Sequence, residues 1–139
     1  MAPLVSRIEI ARPPREVFEF ATDPKRFPEW QRDVVSVRML GAARFATTRQ
    51  IVGAERTQVQ EITHSHPPTS WGAKGVDGPI RASATITIEP VDAGAASRVT
   101  FTLDFEGHGI GKSLLPLVRR QAAKGAPVSY RNLKALLES

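Results

Sequence analysis

The stretch 111–137, GKSLLPLVRRQAAKGAPVSYRNLKALL, carries the pattern that decides the fold. At 3.6 residues per turn, its apolar and small residues share one face of a helix: Leu115, Val118, Ala122, Gly125, Ser129, Leu133 and Leu136. The charged residues around it share the opposite face: Arg119, Arg120, Lys124, Arg131, Lys134 and Glu138. At about 1.5 Å per residue, such a helix is long enough to cross a small domain.

The apolar face of this helix is small in its middle, where Ala122, Gly125 and Ser129 follow one another at successive turns. Either a ligand fills the hollow that these residues leave, or a neighbouring strand packs closer to the helix there. Pro127 lies within the pattern and lacks the N–H that would bond to the Ala123 carbonyl, so we expect a kink at this point.

The rest of the chain alternates with the period of β-strands. We predict seven strands, two short helices after the first of them, and a two-residue turn at Gly53-Ala54. The predicted strands are 4–10, 35–39, 45–52, 55–64, 69–76, 80–89 and 98–106. Consecutive strands joined by short turns indicate an antiparallel sheet, and only the C-terminal helix is long enough to cover its apolar face. The predicted class is therefore α+β, with a curved seven-stranded sheet around that helix.

Composition and charge exclude several classes of protein. The 139 residues predict one domain, 1–139, and the absence of cysteine excludes disulfides and thiolate chemistry. The first residues lack the apolar run of a signal peptide and no stretch reaches about 20 apolar residues, so we expect a cytoplasmic protein without stable membrane insertion.

The net charge of +5 arises from residues 107–139, where six lysines and arginines accompany Glu138 alone. We interpret this surface as a solvated face with little specific binding, and a membrane-surface or partner-binding role is a weaker alternative. No nucleic-acid-binding motif accompanies the charge, so no nucleic-acid partner is expected.

The order of these elements and several short motifs resemble the START-like (SRPBCC) superfamily with its helix-grip fold, and most closely its polyketide cyclase/dehydrase and lipid-transport branch. The motifs are Pro14-Arg15-Glu16-Val17-Phe18, Asp23-Pro24, Phe27-Pro28-Glu29-Trp30, Pro67-Pro68 before Trp71, and the ending 133–138. The resemblance implies a cavity between sheet and helix for an apolar or amphipathic ligand, and only some members catalyse reactions. This chain departs from the pattern at Gly125-Ala126-Pro127, where relatives are expected to have a more continuous helix.

Two groups of residues are candidates for chemistry. His64 and His66 share a strand face, but a metal would need further ligands, such as His108, that the sequence does not place beside them. Polar candidates for the cavity are Tyr130, His64, Glu61, Gln60 and Arg49. No nucleophile elbow, phosphate loop or carboxylate pair is present, so we predict no metal and no cofactor and assign no catalytic residue.

The sequence thus predicts a protein that binds a small apolar or amphipathic ligand of lipid, polyketide or aromatic type. The alternative is a cyclase or dehydratase that acts on such a ligand in the same cavity. The predicted cavity residues are Trp71, Ala82, Ala84, Phe101, Leu103, Phe105, Leu115, Val118, Ala122, Gly125, Ser129, Arg49 and Tyr130. The oligomeric state is left open.

Overall fold

A computed structural model describes residues 2–139 and confirms the predicted fold class. Its strands are β1 Leu4–Ile10, β2 Val34–Met39, β3 Arg44–Ile51, β4 Ala54–His66, β5 Ser70–Gly75, β6 Ile80–Val91 and β7 Ala96–Gly107. Its helices are α1 Pro14–Ala21, α2 Phe27–Trp30 and α3 Gly111–Glu138, with short 3₁₀ turns at Pro24–Arg26 and Asp92–Gly94. None of the helices in the described range is long and apolar enough to span a membrane.

The seven strands form one antiparallel sheet in the order β1-β7-β6-β5-β4-β3-β2. The long pairing of β6 with β7 lies beside the edge strand β1 and runs from Ile80 opposite Gly107 to Val91 opposite Ala96. Alternating apolar residues of these strands, such as Ile86, Val99 and Phe101, are buried on the inner face. Strong period-two alternation in β6 and β7 is why their existence could be predicted from the sequence.

The short helices close one end of the sheet. The Asp23 side chain accepts a hydrogen bond from the Lys25 N–H at 3.1 Å and so caps the 3₁₀ turn that leads into α2. Pro28 occupies the first turn of α2, where the N–H that proline lacks would have no partner within the helix. The helix ends at Trp30, which is buried against Phe27 in an edge-to-face contact.

Local irregularities move two predicted features by one residue. Between β3 and β4 the turn residues are Val52 and Gly53, with φ of 49° and 77°, not Gly53 and Ala54. In β2 a bulge between Val34 and Ser36 turns Val34 into the core and exposes Val35.

Helix α3 lies across the inner face of the sheet and is unbroken from Gly111 to Glu138. Pro127, where a kink was predicted, neither ends nor divides it, and neither does Pro116. The apolar face is shorter than predicted, because Leu136 is 42% exposed and Leu133 is the last fully buried leucine.

Three charged residues of α3 bind the neighbouring strands β1 and β7 and do not simply face solvent. Arg119 lies 3.3 Å from Asp104 of β7, and Lys134 donates to the Glu9 carbonyl of β1 at 2.7 Å. Glu138 accepts from the Ala11 N–H at 2.7 Å. Part of the predicted charged face therefore bonds α3 to the edge of the sheet.

Candidate functional site

A cavity of about 530 Å³ lies between the inner face of the sheet and the middle of α3. The volume falls within the range of small-molecule pockets. Its walls are mainly aromatic and aliphatic, and its polar side chains come chiefly from β3, β4 and the segment after α2. It reaches the surface beside Gly53 and Lys124, which are both exposed.

The structure brings twelve of the thirteen predicted cavity residues together around this volume. They are Arg49, Trp71, Ala82, Ala84, Phe101, Leu103, Phe105, Val118, Ala122, Gly125, Ser129 and Tyr130. Leu115 does not line it. One turn before Val118, Leu115 packs against Ile51, Ile80 and Val118, which themselves line the cavity at that end of the helix.

The hollow in the apolar face of α3 faces this volume. Ala122, Gly125 and Ser129 all line the cavity, and a Cβ built on Gly125 would meet no heavy atom within 4 Å. The Ser129 hydroxyl accepts a hydrogen bond from the Arg32 N–H at 2.8 Å and ties the helix to the segment after α2. No strand packs closely against Gly125, so open volume separates the helix from the sheet there.

One end of the cavity is polar and centres on Arg49. Its Nη1 lies 3.1 Å from Asp33 Oδ1, and its Nη2 donates to Gln31 Oε1 at 3.0 Å. A guanidinium has five N–H donors, so these two bonds hold it in place and leave others free. The Asp33 carboxylate balances its charge.

Tyr130 lies between this polar end and the apolar wall. Its ring stacks on Phe101 with the centroids 3.8 Å apart and the planes 9° from parallel. Burial raises the pKa of Tyr130 to about 12, although the positive charge of Arg49 acts in the opposite direction. The side chain is therefore a neutral phenol at physiological pH and can donate a hydrogen bond.

Two glutamines of β4 extend the polar lining. The Thr47 hydroxyl donates to Gln60 Oε1 at 2.7 Å, which orients the Gln60 amide, and Gln58 Nε2 donates to the Ile80 carbonyl at 2.9 Å. Both faces of β4 carry polar residues, so its sequence alone does not indicate which face points inward. The inward face carries Gln58, Gln60 and Ile62.

The remaining polar candidates lie outside the cavity. Glu61 pairs with Arg44 at 2.7 Å, and that hydrogen bond lowers the pKa of the carboxyl group. His64 stacks on His66 with ring centroids 5.6 Å apart, and His108 lies beside Glu106. Across residues 2–139 no group of three histidine, aspartate or glutamate side chains is arranged to hold a metal. That no metal is required stays a prediction.

Sequence reasoning missed several lining residues from the segment around α2. Phe27, Trp30, Gln31 and Asp33 line the cavity, together with Gln58 of β4. Phe27 and Trp30 belong to one of the motifs that carry the resemblance, but their position beside the cavity depends on how α2 folds back onto the sheet.

Comparison with known proteins agrees with this architecture. The sequence model of the family described as polyketide cyclase/dehydrase and lipid transport matches residues 1–138. No curated protein sequence matches the chain significantly.

Several solved structures share the fold at low sequence identity. A START superfamily protein from Mycobacterium smegmatis has 13% identity and a TM-score of 0.83, with 99% of this chain and 98% of that chain covered. A protein from Thermus thermophilus has 19% identity and a TM-score of 0.80, with 97% of this chain and 96% of that chain covered.

The di-domain ARO/CYC BexL from the BE-7585A biosynthetic pathway has 18% identity and a TM-score of 0.75, and the match covers 97% of this chain but 46% of that one. The family match over nearly the whole chain and the shared helix-grip architecture lead to one conclusion. This chain belongs to the polyketide cyclase/dehydrase and lipid transport family.

Proposed function

We propose that the protein, as a single domain of residues 1–139, binds a small apolar or amphipathic ligand between the sheet and α3. The observation that carries this proposal is the cavity of about 530 Å³, which has apolar walls and a polar cluster at one end. An apolar molecule gains free energy by leaving water for such a site, while a few fixed polar groups orient it.

The polar end favours a ligand that carries a hydrogen-bond acceptor. Arg49 retains N–H donors, the Tyr130 phenol stays protonated, and the Gln60 amide nitrogen is left to donate because its oxygen is bonded to Thr47. A carbonyl, hydroxyl or carboxyl group on an otherwise apolar lipid, polyketide or aromatic molecule matches this set of donors.

The second candidate is a cyclase or dehydratase acting on such a molecule in the same cavity. The neutral Tyr130 phenol beside Arg49 favours it, because this pair can hydrogen-bond a carbonyl oxygen on which negative charge develops. The likeness to the ARO/CYC BexL supports the same idea. Binding remains the primary proposal, since a phenol with a pKa of about 12 is a poor base at neutral pH and the Asp33 carboxylate in the cavity wall is paired with Arg49.

Native mass spectrometry of the purified protein, followed by solvent extraction, tests the binding proposal. We expect a stoichiometric adduct that disappears on extraction, with an extracted molecule that is largely apolar and carries at least one oxygen. Returning the extract to the stripped protein separates the two functions. Unchanged ligand indicates a carrier, whereas time-dependent loss of water or ring closure indicates an enzyme.

A protein that emerges unliganded from every preparation and takes up none of the lipid, polyketide or aromatic molecules offered to it contradicts both functions.

A further inference from the structure

The beginning of α3 exposes a stripe of apolar residues to solvent. Ile110 is 74% exposed and Leu117 is 46% exposed, and Leu114 lies between them, partly buried. Their spacing of four and three residues places the three side chains along one line of the helix. A stripe of this kind is unusual on a surface that water alone contacts.

Two hairpins extend the stripe. Val52, at the tip of the β3–β4 hairpin, is 44% exposed and lines a shallow groove together with Pro79 and Leu114. Gln121 of α3 holds this hairpin tip, because its Oε1 accepts from the Val52 N–H at 2.7 Å and its Nε2 donates to the Gln50 carbonyl at 2.8 Å. We call the combined surface the entrance patch: Val52, Pro79, Ile110, Leu114 and Leu117.

The entrance patch adjoins the opening of the cavity. Gly53, next to Val52 in the turn, and Lys124, two turns beyond Leu117, are among the exposed residues that line the cavity. A molecule that leaves an apolar phase at the patch therefore has a short path into the apolar cavity.

Basic side chains lie beside the patch, since Arg56 lines its groove and Arg120 and Lys124 follow Leu117 on α3 by three and seven residues. These three side chains are exposed, and within residues 2–139 none of them forms an ion pair with a carboxylate. Glu55 lines the same groove and offsets one of these charges. This end of the molecule therefore combines exposed apolar residues with an excess of positive charge.

We infer that the entrance patch docks the protein onto an anionic lipid bilayer, with Ile110 and Leu117 inserted at the headgroup boundary and Arg56, Arg120 and Lys124 against lipid phosphates. Apolar burial and attraction to anionic lipid act together in peripheral membrane binding. A second copy of the chain fits this surface less well, because pairing two such patches brings their positive charges together.

Flotation with lipid vesicles tests the inference. We expect the protein to bind vesicles of phosphatidylcholine mixed with phosphatidylserine, to bind phosphatidylcholine alone far more weakly, and to dissociate as salt is raised. The double variant Arg56→Gln/Arg120→Gln should bind roughly twenty-five-fold more weakly, at about five-fold per charge. The double variant Ile110→Ser/Leu117→Ser should bind vesicles at least about ten-fold more weakly, because two apolar side chains no longer move from water into the bilayer.

Matched controls come from the other end of the same helix. Leu136→Ser and Arg131→Gln change equally exposed residues outside the patch and should leave vesicle binding within about two-fold of wild type. All four altered side chains of the double variants are exposed, so thermal melting should show folded protein throughout.

Three results would overturn the inference. The first is that wild type does not bind anionic vesicles, or that the patch variants bind them as well as wild type. The second is that light scattering finds a dimer that Ile110→Ser/Leu117→Ser dissociates, which makes the patch a contact between copies. The third is that the patch retains an acidic protein or nucleic acid but no vesicle. None of these readouts depends on whether the cavity is loaded, so they stand apart from the proposed ligand binding.

Discussion

Gly125 has no side chain on the wall of α3 that faces the cavity, and a Cβ placed there meets no heavy atom within 4 Å. Gly125→Leu should therefore enter open space without overpacking. Glycine within a helix costs about 1 kcal/mol relative to residues such as leucine. We expect the free energy of unfolding in urea to rise by about that amount.

Ala123→Leu is the matched control for Gly125→Leu, because Ala123 lies two residues away on the exposed side of the same helix. It should change stability by less than about 0.5 kcal/mol. A clear destabilisation by Gly125→Leu alone would mean that the wall opposite Gly125 is closely packed and that the cavity is not open there.

Tyr130 makes the stability of the protein depend on alkaline pH. Its folded pKa of about 12 lies above the unfolded value of 10.0. Below a pH of about 10 the phenol is protonated in both the folded and the unfolded state, so no stability is lost. As pH rises from the unfolded toward the folded pKa, the unfolded state releases its proton first and stability falls, by at most about 3 kcal/mol.

In Tyr130→Phe the free energy of unfolding should fall less between neutral pH and pH 11 than it does in wild type, because the titrating group is gone. Urea unfolding of both proteins at the two pH values measures the difference. Tyr130 is the only tyrosine, so the ultraviolet absorbance of tyrosinate in the folded protein reports its pKa directly. A tyrosinate titration near pH 10, or the same loss of stability at alkaline pH in Tyr130→Phe as in wild type, would show that the phenol is not held in a buried, neutral state.

At the scale of elements, the β3–β4 hairpin contains a strained residue. Val52 has a φ of 49°, in the left-handed region that β-branched side chains disfavour, and Gly53 follows at 77°. Both central residues of a type I′ turn need such values, and Asn-Gly is its preferred sequence. Val52→Asn should therefore raise the free energy of unfolding by about 1 kcal/mol.

Val35→Asn provides the control for the hairpin variant, since Val35 is similarly exposed but lies in the strand β2. It should leave stability unchanged or slightly lower, because asparagine is disfavoured in strands. If both variants shift the denaturation midpoint alike, strain at Val52 is not the cause.

The elements differ in how well they could be predicted. β6 and β7 are strictly alternating, and α3 carries a long 3.6-residue pattern, so the sequence alone predicts the sheet and the helix across it. The bulge at Val34 and the turn at Val52 could not be predicted, because each depends on strand pairing and moves the register by one residue. Arg49 could be named as a polar contact, but Asp33 and Gln31, which hold it, depend on how α2 packs.

At the scale of the whole molecule, the sheet, α2 and α3 enclose a volume that none of them lines alone. Trp30 and Trp71 are the only tryptophans, and both are buried and line this cavity. A fluorescent apolar probe bound in the cavity therefore lies beside both of them. The probe 1-anilinonaphthalene-8-sulfonate combines an aromatic body with an anionic group that suits Arg49.

Energy transfer from tryptophan to this probe, titrated in wild type, Gly125→Leu and Ala123→Leu, tests the ligand cavity most directly. We expect saturable transfer at one probe per protein in wild type and Ala123→Leu, and a loss of at least about ten-fold in affinity in Gly125→Leu, because the leucine takes the space of the probe. Equal affinity in all three proteins, or no saturable transfer in wild type, would contradict an open ligand cavity at Gly125.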